Sequence, residues 1–596
     1  MKLADYVIDF LAKQNIKHVF VITGGAAAHL IDSIAKNKKI NYICTQHEQA
    51  AAMAADAYSR VSMNLGAAIA TSGPGATNLI TGICCAYYDS MPVIYITGQV
   101  ATFRLKRELK VRQLGFQETD IVGMCRSVTK YSVLIDNAAK IRYELEKAVY
   151  IAKSGRPGPV LIDIPDNIQR ENVDPDKLKA FTPKIKDRKI ISDALNSKLD
   201  RCIKLIGQAK RPVVIFGAGI KFARAQKLAK EFIAKLKFPV ALTWATLDMF
   251  PYDYPLLIGG FGLNGPRYGN FAVQNADLIL SIGSRLDTHA TGSPLSTFAR
   301  EAKKIIIDID PAELQKFSQY GMRVDLAINA DAKDFLSAMH KKLKGIRTRS
   351  ISEWLKKILE WKIKYSVCSL ECYKQKEKVN PYVFLDILSK ESLCGDILIA
   401  DTGNNAAQVF QGYKVKNRQM VFSAFNNTPM GYSLPASIGA YFANKSSKNN
   451  IICITGDGGI QMNIQELATI VKHNLPIKIF VFNNQGYGMI KQTQDDWLES
   501  RHEASCVKKG IAIPDFIKIA RAYGIKALVI RSNKELRQKV KAVLKAKGAV
   551  LCDIELRPDQ KNIPMLKYGR PIEDQNPLLN RQEFLKNMIV KPLNPS

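Results

Sequence analysis

The stretch from residue 451 to residue 488 restricts the fold more than any other part of the sequence. Two short apolar runs, 451–454 and 477–482, have the length and composition of buried strands. Between them, residues 465–472 have the spacing of a helix that crosses from one strand to the next. Strand, helix and strand in this order make a βαβ unit with parallel strands. The stretch therefore predicts an open α/β sheet.

A polar, glycine-rich motif follows each of these two runs: GDGG at 456–459 and NNQG at 483–486. Ligands bind at the carboxyl edge of such sheets, and glycines let the backbone approach a phosphate closely. Asp457 and Asn484 offer the hard oxygen ligands that Mg²⁺ prefers when it also holds phosphates. The motifs favour a diphosphate held through a metal ion. Alone, however, GDG is equally typical of a tight strand-to-helix turn.

The first 180 residues alternate amphipathic helices with apolar runs, which predicts another open parallel sheet. The predicted strands are 19–22, 41–44, 67–71, 93–97 and 160–164. Three motifs here carry chemical groups: TQHEQ at 45–49, SGPGATN at 72–78 and GFQE at 115–118. The simplest interpretation of Glu48, in the first motif, is a negative charge in the first turn of a helix, which stabilises the helix by about 0.3 kcal/mol.

Two further regions repeat the pattern of strands and helices. The first has strands at 213–216, 278–282 and 305–309, and its Gly217 and Gly219 lack the third glycine of a dinucleotide motif because position 222 is Phe, which argues against an NAD site. The second begins with a strand at 397–400. It is followed by DTGNN at 401–405 and by NNTPMGY at 426–432.

Together these motifs resemble those of the thiamine diphosphate enzymes, in particular the acetolactate synthase branch, across nearly all of residues 1–565. The resemblance implies an α/β fold of three consecutive doubly wound parallel-sheet domains. These would be a pyrimidine-binding domain at 1–182, a middle domain at 200–345 and a diphosphate-binding domain at 376–565, followed by a C-terminal tail at 566–596. Linkers are expected at 183–200 and, with helical character, at 351–378.

The resemblance also implies roles for single residues. Glu48 would hydrogen-bond the pyrimidine N1′ and Gln117 would line the substrate pocket, while Asp457, Asn484 and the carbonyl of Gly486 would hold Mg²⁺. The carbonyl of Thr428 would receive the 4′-amino group, and Met430, otherwise a core filler, would bend the cofactor into a V. The other implied cofactor-binding residues are Gly73, Asn78, Gly403, Asn404, Asn405, Gly456, Gly458, Gly459, Gly486 and Met489.

Two departures from the family bear on the cofactors. Many acetolactate synthases have Gln-His where this chain has Asn404-Asn405, although an amide can also donate to a phosphate. In the middle domain, Arg285 within GSRLD at 283–287 matches a residue that contacts FAD in flavin-containing members, and IDID at 307–310 is similar too. The sequence DTH at 287–289 departs from the usual pattern. Since some members carry FAD and others do not, FAD stays open.

The implied activity is decarboxylation of a 2-oxo acid, with pyruvate as the expected substrate, and transfer of the acyl unit to a carbonyl acceptor. No side chain can accept the electrons of the breaking C–C bond, whereas a thiazolium ring can. Three alternatives are a larger acceptor such as a keto-sugar, simple decarboxylation, and a silent homologue that only binds partners. Glu48, Met430, Asp457 and Asn484 disfavour the silent homologue.

The acceptor is expected to depend on Thr493. Acetolactate synthases of amino-acid biosynthesis usually have a Trp at this position, beside the second substrate. A small hydroxyl-bearing side chain should widen the pocket and weaken any preference for 2-oxobutyrate. Alternatively, Trp497, about one helical turn further on, fills the same space.

Composition limits the partners. The net charge is +32, but the lysines are spread without a basic tail or a nucleic-acid-binding motif, so no nucleic-acid partner is expected. No apolar run approaches eighteen residues and no leader is recognisable, so we expect no membrane association and a cytoplasmic location. The eleven cysteines include no CxxC pair, which favours free thiols. The family's shared sites imply a homodimer or homotetramer.

Overall fold

The computed structural model describes residues 1–183, 193–344, 349–444, 446, 448–567 and 569–593. They contain three six-stranded sheets, and every strand pairing within each sheet is parallel. In the first sheet, alternate residues of the four central strands belong to two separate apolar cores, so both faces of these strands are covered. This confirms the predicted fold class of three consecutive doubly wound sheets.

The first sheet has the strand order β2-β1-β3-β4-β6-β5. Its strands are β1 (His18–Val21), β2 (Asn41–Cys44), β3 (Gly66–Ala70), β4 (Val93–Gln99), β5 (Tyr131–Leu134) and β6 (Val160–Pro165). The helices around it are α1 (Leu3–Lys13), α2 (Ala28–Lys36), α3 (Glu48–Ser62), α4 (Pro74–Asn78), α5 (Ile80–Tyr88), α6 (Ile121–Cys125), α7 (Ile141–Lys153) and α8 (Asp166–Arg170). Strands β3 and β4 are buried throughout, and their sequences are mostly apolar.

The middle sheet has the order β12-β11-β10-β7-β8-β9, which reverses between β10 and β7. Its strands are β7 (Pro212–Phe216), β8 (Val240–Leu242), β9 (Leu257–Gly259), β10 (Leu278–Ile282), β11 (Lys303–Asp308) and β12 (Leu326–Asn329). Its helices are α9 (Asp193–Gln208), α10 (Gly219–Phe222), α11 (Gln226–Leu236), α12 (Arg267–Gln274), α13 (Thr288–Thr291), α14 (Pro311–Gln319) and α15 (Ala332–Lys342). Helix α9 begins within the predicted linker 183–200, and residues 184–192 of that linker lie outside the described residues.

The third sheet repeats the topology of the first, with the order β14-β13-β15-β16-β18-β17. Its strands are β13 (Ile397–Ala400), β14 (Met420–Phe422), β15 (Ile451–Gly456), β16 (Lys478–Asn483), β17 (Lys526–Ile530) and β18 (Val550–Glu555). Helices α16 (Ser352–Lys364) and α17 (Leu370–Lys374) precede it. The remaining helices are α18 (Pro381–Glu391), α19 (Asn404–Gly412), α20 (Ser433–Ala443), α21 (Asp457–Gln461), α22 (Glu466–Lys472), α23 (Gly488–Trp497), α24 (Phe516–Ala522), α25 (Leu536–Lys545) and α26 (Arg581–Asn587).

The first and third domains of the chain pack directly against each other through α3 and α20. One apolar core contains buried residues of both domains, including Ala54 and Tyr58 on α3 and Ile438 on α20. The helices approach so closely that a Cβ placed on Gly439 would lie 2.0 Å from the carbonyl oxygen of Ala54. The space between these two domains of one chain is therefore filled by packed side chains.

Residues near the C-terminus pack on the middle domain. Ile572 and Phe584 belong to the middle domain's apolar core, Gln274 donates to Glu573 at 2.6 Å, and Trp361 Nε1 donates to Asn587 Oδ1 at 2.8 Å. The segment expected to be a C-terminal tail thus contributes to a core. The domain boundaries themselves stay a prediction.

Candidate active site

Glu48 and Asn78 are brought together at the carboxyl edge of the first sheet. Glu48 opens α3, and His47 caps this helix by accepting from the backbone N–H of Gln49 at 3.0 Å. Asn78, at the end of α4, donates to Glu48 Oε2 at 2.9 Å. A Cβ on Gly75 would lie 3.3 Å from Glu48 Oε1, so glycine keeps the space beside the carboxylate open. The carboxylate is thus fixed in direction by one amide.

Gly73 and Gln117 form a second part of this edge. Gly73 has φ +61°, and a Cβ there would lie 3.0 Å from that of Gln117. Gln117 itself has φ +64° and is exposed. Its loop is held by Glu118, which accepts from the backbone N–H groups of Lys106 at 2.6 Å and Leu114 at 2.8 Å. We call Glu48, Gly73, Asn78 and Gln117 the amino-terminal half-site.

The predicted metal ligands lie at the ends of the adjacent strands β15 and β16. Asp457 accepts from the backbone N–H groups of Gly458 at 2.7 Å and Gly486 at 3.1 Å. Asp457 is 2% exposed, and this burial raises the pKa of its carboxyl to about 6, against the hydrogen bonds that lower it. Asn484 is buried beside it, and a Cβ on Gly488 would lie 2.7 Å from Asn484 Nδ2.

The predicted diphosphate contacts surround these ligands. Gly403, with φ +80° and open space where a Cβ would be, caps the N-terminus of α19. Asn404 Oδ1 accepts from Asn562 at 2.9 Å, whereas the buried Asn405 Oδ1 has no hydrogen-bond partner among the described residues. A Cβ on Gly456 would lie 3.3 Å from Asn405 Nδ2. An open helix N-terminus and backbone amides beside a buried carboxylate suit a diphosphate and its metal ion.

Met430 lies against the same edge. Its Cε would be 3.1 Å from a Cβ on Gly458, and Tyr487 Cε1 would be 2.3 Å away, so only glycine fits there. Thr428, two residues before Met430, has φ +44°, a conformation that β-branched residues rarely adopt. Two further predicted residues, Gly459 and Met489, lie in α21 and α23.

Asp401 lies beneath this edge and was not among the predicted site residues. It is fully buried and accepts from the backbone N–H of Gly431 at 2.9 Å and from the hydroxyls of Ser433 at 2.9 Å and Thr455 at 3.1 Å. Burial raises the pKa of the Asp401 carboxyl, while the hydrogen bonds from Gly431 and Ser433 lower it. Its position directly after β13 was the available sequence signal. We call Gly403, Asn404, Asn405, Thr428, Met430, Gly456, Asp457, Gly458, Gly459, Asn484, Gly486 and Met489 the carboxy-terminal half-site.

The two half-sites have no direct hydrogen-bond connection within the described part of one chain. The described residues as a whole contain no group of three or more His, Cys, Asp and Glu side chains that could hold a metal. The predicted ligands instead comprise one carboxylate, one amide and one carbonyl.

Arg285 lies elsewhere, at a cavity of about 1260 Å³ where the strand order of the middle sheet reverses. Its Nη1 donates to the Tyr88 carbonyl at 3.1 Å, and its Nε lies 3.4 Å from Glu313. A Cβ on Gly217 would lie 2.3 Å from the carbonyl oxygen of Gly283, so chain packing alone accounts for glycine there. Cavity volume and position suit a dinucleotide, and the assignment of Arg285 to FAD stays a prediction.

Two sheets of identical topology, each with a glycine-rich carboxyl edge, and a nucleotide-type sheet between them define a class of three-domain thiamine diphosphate enzymes. Comparison with protein families bears this out. The N-terminal thiamine pyrophosphate binding domain matches residues 1–124, the central domain of these enzymes matches 199–339, and the C-terminal thiamine pyrophosphate binding domain matches 401–554. The chain belongs to the thiamine pyrophosphate enzyme family.

Its relatives within the family share one name. The acetolactate synthase large subunit of Cyanidium caldarium is 35% identical over 95% of this chain and 94% of that protein. The probable acetolactate synthase large subunit of Methanocaldococcus jannaschii is 36% identical over 96% and 94%. The mitochondrial acetolactate synthase catalytic subunit of Saccharomyces cerevisiae is 33% identical over 95% and 82%. The predicted resemblance is confirmed, and the chain is an acetolactate synthase-like enzyme that uses thiamine diphosphate.

No helix among the described residues combines the length and apolar character needed to cross a bilayer.

Proposed function

We propose that the chain decarboxylates pyruvate and transfers the acyl unit to a second 2-oxo acid, with thiamine diphosphate and Mg²⁺ as cofactors. The observation that carries this proposal is the match of both thiamine pyrophosphate binding domains to the two sheets whose edges bear Glu48 and Asp457. The shared name of the relatives favours condensation over simple decarboxylation and over a keto-sugar acceptor.

The carboxy-terminal half-site would bind the diphosphate and metal. Asp457, Asn484 and the Gly486 carbonyl supply oxygen ligands, and the N-terminus of α19 at Gly403 offers backbone N–H groups to phosphate. The side chains of Asn404 and Asn405 complete this surface as donors. Met430, held against Gly458, would support the bent cofactor from below.

The amino-terminal half-site would activate the cofactor. When bound, thiamine diphosphate supplies the electron sink that decarboxylation requires. Glu48 would hold a proton at the pyrimidine N1′, with Asn78 fixing the carboxylate in direction. Gln117, which is exposed on its loop, would orient the substrate at this half-site.

Each complete site would be built from two chains. Within one chain, the apolar core around α3 and α20 packs the first domain directly against the third. Two aromatic side chains near the amino-terminal half-site are exposed, Phe116 at 85% and Phe103 at 72%. Exposed aromatic residues are typical of interfaces. We therefore infer a homodimer, or a homotetramer, with shared sites.

Mixed dimers test this arrangement. A Glu48→Gln chain paired with an Asp457→Ala chain would form one intact site and one doubly altered site. Random exchange of equal amounts should restore about a quarter of wild-type activity. If each active site were contained in a single chain, the mixture would regain no activity. Each variant mixed with itself serves as the control, and the fraction of mixed dimers is measured with two different affinity tags.

The activity itself is tested by product analysis. Purified protein with pyruvate, thiamine diphosphate and Mg²⁺ should release CO₂ and form acetolactate. Acetaldehyde as the main product would instead identify a simple decarboxylase, and no CO₂ release would refute both. An absorption spectrum of the same protein decides whether a flavin is bound.

Thr493 bears on the choice of acceptor. It lies on α23, exposed, and its hydroxyl donates to the Met489 carbonyl at 3.1 Å, while Trp497 ends the helix with 58% exposure. We predict no strong preference for 2-oxobutyrate over pyruvate as acceptor, because a small side chain leaves this side of the pocket open. Thr493→Trp should raise the ratio of acetohydroxybutyrate to acetolactate about tenfold in a competition assay. Thr493→Ser is the control, and a large excess of acetohydroxybutyrate from the wild type would contradict the prediction.

A further inference from the structure

A buried cluster of charges connects the first domain to the loop that carries Thr428 and Met430. On α3, Arg60 pairs with Asp56 through its Nε at 2.8 Å and with Asp89 through its Nη2 at 2.7 Å. The hydroxyl of Tyr432 donates to Asp56 at 2.5 Å. All four residues are at most 7% exposed. The cluster therefore joins three residues of the first domain to one of the third.

The second carboxylate of this cluster holds the start of the same loop. Asp89 accepts from the backbone N–H groups of Phe425 at 2.8 Å and Asn426 at 3.1 Å, and from Asn426 Nδ2 at 2.5 Å. The guanidinium carbon of Arg60 lies 5.8 Å from the ring centre of Phe425 and 6.0 Å from that of Tyr432. Residues 425–432 are thus held at both ends by the first domain.

The middle of the loop is strained. Thr428 has φ +44°, which a β-branched residue adopts only when its surroundings enforce it. Gly431 has φ +84°, and a Cβ there would lie 2.7 Å from Met462 Cβ. From the other side, Asp401 accepts from the backbone N–H of Gly431. The anchors at both ends of the loop can hold Thr428 in a conformation that a β-branched residue rarely adopts.

The chemistry of the anchors suits a positioning task. Apolar side chains of similar volume could fill the interface without the desolvation cost of burying three charged groups. Hydrogen bonds from a carboxylate to particular backbone N–H groups instead fix the direction of a chain segment. The loop needs such a direction because Met430 must meet the cofactor on one side and Gly458 on the other.

We infer that Asp56, Arg60 and Asp89 are positioning residues for the reaction: they hold residues 425–432 so that Thr428 and Met430 keep the cofactor in its bent form. This inference rests on the proposed function. The three residues contact no reacting atom and act through the loop. Because they lie on the first domain and Met430 on the third, the interface inside one chain sets the geometry of a cofactor site.

Two variants test the inference. Tyr432→Phe removes only the hydroxyl that reaches Asp56, and Asp89→Asn keeps the shape of the side chain while replacing an acceptor with a donor. For each we would measure thiamine diphosphate affinity, the exchange rate of the C2 proton per bound cofactor, kcat and KM, and the unfolding midpoint. Asp396→Asn is the matched control, because Asp396 is equally buried and accepts from the backbone N–H groups of Leu393 and Asn450, each at 2.8 Å, at the opposite edge of the third sheet.

We expect C2 exchange and kcat to fall together, about tenfold for Tyr432→Phe and about a hundredfold for Asp89→Asn, with cofactor affinity changed less than about threefold. Asp396→Asn should lower the unfolding midpoint without slowing exchange. If Asp89→Asn does not fold, Tyr432→Phe decides. Wild-type exchange per bound cofactor in the folded variants would overturn the inference alone, whereas wild-type protein that binds no thiamine diphosphate would overturn the proposed function and this inference with it.

Discussion

Replacing Glu48 by glutamine should slow exchange of the cofactor's C2 proton by about 10²- to 10⁴-fold, the usual contribution of a positioned proton-transfer group. A carboxamide cannot hold a proton at the pyrimidine N1′ as a carboxylate does. It has nearly the same shape, however, and its oxygen can still accept from Asn78, as Glu48 Oε2 does at 2.9 Å. The loss is therefore expected to be chemical rather than steric, with thiamine diphosphate still bound.

Hydrogen–deuterium exchange at C2, quenched at successive times and read by NMR, measures this rate, and calorimetric titration measures binding. Glu171→Gln, an exposed carboxylate of the same domain, is the control. Exchange at the wild-type rate in the Glu48→Gln protein would remove Glu48 from its proposed role. Lost cofactor binding would instead assign Glu48 a binding task.

Several of the predicted strands are buried on both faces. Strands at 278–282 and 397–400 agree at both ends with β10 and β13, which are buried throughout, because continuous apolar runs mark buried parallel strands. The strand predicted at 41–44 also agrees at both ends with β2, although β2 is an exposed edge strand. Other strands were not predicted: β8 and β18 are buried, whereas β5 and β17 lie at sheet edges and are half exposed. In β5, Ser132 interrupts the apolar residues, so this edge strand carries no continuous apolar run.

The half-sites were predictable as far as they follow strand ends. Asp457 and Asn484 adjoin β15 and β16, and parallel neighbours deliver their ends to one edge. The cluster of Asp56, Arg60 and Asp89 was not predicted because its third member joins only on folding. The i, i+4 pair of opposite charges on the alanine-rich α3 was a usable signal.

The C-terminal residues show where prediction from the sequence fails. Residues 566–596 were expected to be a tail, but Ile572 and Phe584 enter the middle domain's core and Glu573 pairs with Arg300 at 2.8 Å. Apolar residues scattered along a short segment are enough when the partner surface already exists. That surface cannot be read from the segment itself.

Replacing Asp457 by alanine should abolish the metal-dependent part of thiamine diphosphate binding. Asp457 would be the only charged protein ligand of the predicted metal site, since Asn484 and the Gly486 carbonyl are neutral. Loss of groups that merely orient metal ligands costs about 10- to 100-fold in affinity, so removal of a charged ligand should cost about a hundredfold or more. The apoprotein should remain folded, because burial disfavours the ionised carboxylate and its removal relieves that penalty.

Calorimetric titration of the cofactor with Mg²⁺ and with a chelator separates the two contributions. With the chelator, wild type and variant should bind alike; with Mg²⁺, only the wild type should bind more tightly. Asp515→Ala is the matched control, because Asp515 also accepts from two backbone N–H groups, those of Ile517 at 2.9 Å and Lys518 at 3.0 Å, but caps α24 away from the predicted ligands. Equal metal-dependent affinity in the Asp457→Ala protein would show that the metal is held elsewhere.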